Sequence, residues 1–199
     1  MGADITALIV DWAELENIPV LERERALFEA ADPDDYDGAL DEGWAWLPPA
    51  PASFPSWCAR YEFGGTLGSF KPHFWACERW ETIREHVPDD LRTALDTFLA
   101  GLFWAPPWTD SDPQDEDDTE PSYGAMRTFC PPPDVSVLAQ AWSAVGPRLE
   151  GLREPFDVHA AAPGEWIGRF EEFSRLLHGW AEAVEEARRR GWGLIGLPI

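Results

Sequence analysis

Apolar positions recur along this chain with two different periods. In residues 164–190, Trp166, Phe170, Phe173, Leu177, Trp180, Val184 and Ala187 follow one another at alternating steps of four and three. That spacing lines one face of an α-helix, and Ile167 and Leu176 broaden the stripe. Glu171/Arg175, Glu185/Arg189 and Glu186/Arg190 add i, i+4 ion pairs in the favourable order, and Gly191 supplies a stop. Shorter stripes predict helices over 74–86 (Ala76, Trp80, Ile83, then Val87) and over 88–103 (Leu91, Leu95, Phe98, Leu102). A further helix is expected over 135–146, with Asp134 as its cap and Leu138, Ala141, Trp142 and Val145 on its apolar side. Pro19, with Asn17 just before it, opens a helix over 19–31.

Short β-friendly runs alternate with these helices. Residues 4–10 (DITALIV) and 192–197 (WGLIGL) read as strands at the two ends of the chain. Residues 57–63 and 66–71 flank Gly64-Gly65, a pattern that predicts a β-hairpin. Weaker strand signals fall at 123–129 and 155–160. The stretch 43–57 holds Pro48, Pro49, Pro51 and Pro55 among Trp44, Trp46, Phe54 and Trp57, and reads as an ordered, aromatic loop. The expected fold is therefore α+β: four or five helices packed on a small, mostly antiparallel sheet. It forms one domain over 1–199, a length that buries a real core without metal or disulfide staples.

Charge changes this picture. The chain has 15 Lys+Arg against 37 Asp+Glu, a formal charge of −22. The excess is concentrated: 29–42 and 110–120 each hold seven acids and no base, so these 25 residues carry −14. Both contain Pro and turn formers and are expected as acidic loops, near 32–42 and 109–122. Asp110, Asp112, Asp115 and Asp117 are spaced somewhat like a calcium loop. The turn glycine and the closing glutamate are absent, and Pro113 intrudes. An acidic surface repels phosphate, which argues against a nucleic-acid partner. No apolar run approaches the roughly 20 residues needed to span a bilayer. Three cysteines with no close pair fit a reduced, cytoplasmic setting.

Tryptophan is the other compositional signal, with twelve in 199 residues. Trp12, Trp80, Trp142, Trp166 and Trp180 fall on helical stripes or near element ends and are expected in the core. Trp44, Trp46, Trp57, Trp104 and Trp108 fall in Pro-rich segments. Indole faces beside carboxylates suit a cationic partner. The leading expectation is a binding or inhibitory protein that grips a basic protein, for example by neutralising a basic toxin or enzyme. Its contact residues would be Asp34, Asp35, Asp37, Trp44, Trp46, Trp104, Trp108, Asp115, Glu116, Asp117 and Asp118. The alternative is an enzyme or small-molecule binder with an aromatic pocket covered by 43–57 and 104–123. No cofactor motif is present, and no Cys–His pair has the local signature of a nucleophile. Cys58, His73, Cys77 and His86 are the conceivable metal ligands, at spacings that match no established zinc pattern.

Overall fold

The computed structural model describes residues 5–31, 43–47, 55–66, 69, 71–101 and 128–198. The N-terminal strand β1 (Ile5–Val10) ends at Asp11, whose carboxylate accepts from the Ala13 N–H and caps α1 (Trp12–Asn17). After Pro19 the chain forms α2 (Val20–Ala31). Two strands follow, β2 (Gly43–Trp46) and β3 (Cys58–Glu62). Helix α3 (Lys71–Ile83) tightens into a 3₁₀ turn at Arg84–His86, and α4 (Asp89–Ala100) starts after Pro88 with Asp89 and Asp90 at its positive end. Strand β4 (Thr128–Cys130) runs into three prolines that open α5 (Pro132–Val145), where missing N–H groups cost nothing. A 3₁₀ segment leads to the short α6 (Arg153–His159). The long α7 (Phe170–Arg190) stops at Gly191 in the left-handed region, and β5 (Gly193–Pro198) returns to the sheet.

The class is the expected α+β. Among the described residues, five helices have twelve or more residues, and α1 and α6 are short additions. All pairings are antiparallel, in the order β2-β3-β1-β5-β4. The two ends of the chain are zipped together at the centre, with Ile5 opposite Pro198 and Val10 opposite Gly193. Ala7, Leu8, Ile9 and Val10 are fully buried, as a central strand covered on both faces requires.

The register sorts side chains onto two faces. Ala7, Ile9, Ala59, Tyr61 and Leu194 share one face; Leu8, Val10, Cys58, Arg60, Ile195 and Leu197 share the other. Helix α7 packs on the first face. Tyr61 donates its hydroxyl to Glu182 at 2.9 Å, and the Phe63 ring meets Trp180 at 4.5 Å. On the second face, Arg60 and Glu62 form an ion pair at 2.6 Å with both side chains less than a tenth exposed. Arg60 also donates to the Ala31 carbonyl at 2.6 Å, which ties the end of α2 to the sheet.

The structure corrects several sequence readings. Residues 43–46 form an edge strand rather than a loop: the prolines begin only at Pro48, so backbone N–H groups are available to pair with β3. Gly64 and Gly65 do turn the chain, but the described residues of 66–71 form no strand paired with β3. Thr66 folds back onto the Phe63 carbonyl through both its N–H and its hydroxyl, and both sides of β3 are taken by β1 and β2. The strand expected at 155–160 is α6; of its residues only Phe156 is buried, and Val158 is exposed. The strand expected over 123–129 is β4 at Thr128–Cys130, with 123–127 outside the described residues. The last helix starts at Phe170, six residues later than expected.

The buried pair gives a direct test. In Arg60→Ala the Glu62 carboxylate stays buried without its partner, and the Ala31 carbonyl loses a donor. We expect a loss on the order of 3 kcal/mol in urea unfolding. A loss below about 1 kcal/mol, the scale of an exposed pair, would contradict this role.

Candidate functional site

Nine of the expected contact residues lie outside the described residues: Asp34, Asp35, Asp37, Trp104, Trp108, Asp115, Glu116, Asp117 and Asp118. What the fold shows is where their segments meet the sheet. One segment leaves α2 at Ala31 and reaches the edge strand β2 at Gly43, which pairs with Glu62 at the end of β3. The other leaves Gly101 and reaches the opposite edge strand β4 at Thr128, which pairs with Gly196 near the end of β5. In the register of the sheet both arrivals are at the end where β1 begins. The two edges are about 19 Å apart at ordinary strand spacing.

Trp44 and Trp46 belong to β2 and are not presented by a loop. Trp46 is 4% exposed, and Trp44 packs edge-on against Tyr61 at 5.0 Å. They brace the sheet edge: the bulge between them sets Trp44 opposite Tyr61 on one face and Trp46 opposite Arg60 on the other, and the burial of Trp46 corrects its assignment as an outward contact. Trp57 is half-buried against the core, and its carbonyl accepts from the Asp11 N–H at 2.7 Å.

The conceivable metal ligands are dispersed. Cys58 and His73 lie on opposite faces of the sheet, and Cys77 is half-buried on α3 beside Glu78 and Glu81. The exposed His86 ring stacks flat on His159 at 3.7 Å, a parallel arrangement whose nitrogens do not converge on one ion. No group of three or more His, Cys, Asp or Glu positioned for a metal occurs among the described residues. Burial pushes the Cys58 thiol up strongly. Burial, and then Asp134, pushes Cys130 up to about 12; burial, and then Glu81 and Glu78, does the same to Cys77. None of the three is poised as a thiolate.

His73 is a core residue. Its Nδ1 accepts from the Trp180 indole N–H at 3.1 Å, so the neutral ring carries its proton on Nε2. Phe63 meets it edge-on at 4.8 Å, and burial lowers its pKa to about 3.

Sequence reading did not foresee a cleft that the described residues form. It has a volume of about 780 Å³ and lies between the Gly64–Thr66 turn, the start of α3, and residues 164–176. None of the described residues of the 43–57 stretch lines it, and 48–54 and 104–123 lie outside the described residues. Its apolar walls include Trp75, Ile167 and Leu176, with Trp166 at its rim. Trp166 is 38% exposed because the chain is not yet helical there, which corrects its placement in the core.

The 162–168 loop is tightly built. Ala162 N–H donates to the Gly168 carbonyl at 3.0 Å, and a methyl group on Gly168 would sit 2.2 Å from the Ala162 oxygen. Ile167 adopts φ +52°, a left-handed conformation costly for a β-branched residue. Arg79 holds it there, donating to the Ile167 carbonyl at 3.2 Å and pairing with Glu165 at 2.8 Å. Glu172 accepts from the Arg169 N–H and guanidinium. Despite partial desolvation, those contacts hold its carboxyl below the usual range. The Arg153 guanidinium does the same for the Glu171 carboxyl.

Comparison with protein-family models, with curated proteins and with solved structures finds no match for this chain.

The His73 cluster makes a pH-dependent prediction. Below the ordinary imidazole pKa the unfolded chain takes up a proton that the folded chain refuses. The stability from His73 is therefore complete above about pH 6.5 and falls toward pH 3. Between pH 6.5 and 5 the expected loss is about 2 kcal/mol. In His73→Gln this slope should flatten, even if the baseline stability falls. Equal slopes in urea titrations of the two proteins would refute a neutral, buried His73.

Proposed function

We propose that this protein binds a basic protein partner through the end of the sheet that both acidic segments reach. The observation that supports this reading is the shared arrival of the two segments at that end, one along each edge. Dense runs of carboxylates raise the encounter rate and affinity for a cationic surface.

Charge pairing on the body points the same way. Fourteen of the 37 acids but only one of the 15 bases lie outside the described residues. Within the described residues, at least eleven of the thirteen arginines already pair with carboxylates. The described residues carry 23 acids against 14 bases, a net of −9, and the other −13 of the chain's charge falls outside them, nearly all of it in the two segments. A neutralising partner of a basic toxin or enzyme is the concrete form of this reading. No helix among the described residues is long and apolar enough to cross a membrane.

Two variants test it: Asp34, Asp35 and Asp37 to Asn in one, and Asp115, Glu116, Asp117 and Asp118 to their amides in the other. The tagged protein should retain a basic protein from lysate at low salt and release it as salt rises past about 0.5 M. Each variant should weaken retention on its own, because one partner spans both segments. Capture that ignores both variants, or that survives high salt unchanged, would overturn the proposal.

A further inference from the structure

We infer that the cleft between the Gly64–Thr66 turn and the start of α7 binds a small, flat monoanion, an aryl carboxylate in chemical class. The inference rests on a charge count at the cleft. Its lining carries five charged side chains, and four of them are spoken for. Glu165 pairs with Arg79, Glu171 with Arg153, and Glu172 with Arg169. Arg175 is left without a carboxylate among the described residues, in a protein where acids outnumber bases more than two to one.

The position of Arg175 is built rather than incidental. Gly65 sits at φ +76°, and a methyl group added to it would lie 3.2 Å from the Arg175 Nη1. The guanidinium thus rests against bare backbone, in a turn where a side chain would be strained and would crowd it. Its remaining donors are available to a ligand in the cleft.

The partner's chemistry follows from these groups. With the three pairs neutralised, the surroundings sum to a single positive charge. A carboxylate balances that charge, whereas a phosphate dianion would leave a surplus beside three glutamates. Trp75 and Trp166 offer indole surface, and Ile167, Leu176 and Pro72 complete an apolar wall suited to a ring. The volume, about 780 Å³, is of the size that takes an organic ligand. The strained Ile167 and the locked Gly168 hold Trp166 at the rim, where its side chain remains substantially exposed. This site is separate from the acidic segments and does not depend on the basic-partner reading.

The test uses the full chain and three probes with one ring system: 1-naphthoate, the neutral 1-naphthylmethanol, and 1-naphthyl phosphate. Binding is read by ligand-observed NMR and calorimetry. Naphthoate should bind saturably and about tenfold more tightly than the alcohol, the scale of one charge-assisted hydrogen bond. Arg175→Gln should bring naphthoate down to the level of the alcohol and leave the alcohol unchanged. Trp166→Ala should weaken both. Circular dichroism on each variant checks the fold, and Arg175→Lys gives a second reading by keeping the charge and losing the fork. The inference is overturned by equal affinity for naphthoate and alcohol, by tighter binding of the phosphate, by indifference to Arg175→Gln, or by no saturable binding at millimolar concentration.

Discussion

The constraint on which this structure depends is the pairing of β1 with β5 and β3. A central strand with no exposure on either face must satisfy every backbone N–H and C=O through its neighbours, because no water reaches it. Those neighbours come from residues 58–62 and 193–198, so the sheet cannot close until the chain's last strand is in place. Non-local pairing of this kind carries a large loop-closure cost, which burial of α7 against the same sheet offsets. Arg60 and Glu62 add a second tie on the opposite face. They are buried together, and their pairing keeps two charges tolerable in the interior.

Both proposed binding regions follow from that sheet. Antiparallel order fixes the direction of the two edge strands, and β2 and β4 both begin at one end. The segments that feed them are the two most acidic in the chain. The cleft follows from the same frame: β3 exits into the Gly64–Thr66 turn, and α7 begins beside it after the 162–168 loop. Trp180 and His73 then lock α7 and α3 against Phe63 in one aromatic cluster.

Chemistry expected from composition is redistributed by packing. Of the histidine and three cysteines that could be nominated as ligands or nucleophiles, Cys58 is held on the opposite face of the sheet from His73, and burial suppresses the charged form of each. The indoles divide in the same way. Trp46 and Trp180 are interior, Trp44 braces a sheet edge, and Trp166 is left at the mouth of the cleft. Residue type alone does not separate these cases, because an indole is equally suited to a core and to a binding face.

The sequence by itself determined the α+β class, the two terminal strands, the core faces of α4, α5 and α7, and the separation of charge into two segments. Each of these is a local signal: a period of 3.6, a short apolar run, a cap or a run of carboxylates. Tertiary structure decided the rest. The partner of β3 is chosen by edge availability, so a Gly-Gly turn that reads as a hairpin becomes the floor of a cleft. Residues 155–160 have an alternating pattern, yet no open sheet edge receives them, and they coil into α6. Trp166 sits in phase with the α7 stripe, but Gly164, Gly168 and the left-handed Ile167 stop the helix before it gets there. Arg175 reads as half of an i, i+4 pair with Glu171, until Arg153 arrives from α6 and takes that carboxylate. Competition between distant partners for one group is invisible to any window along the chain, and here it decides which charge is left over.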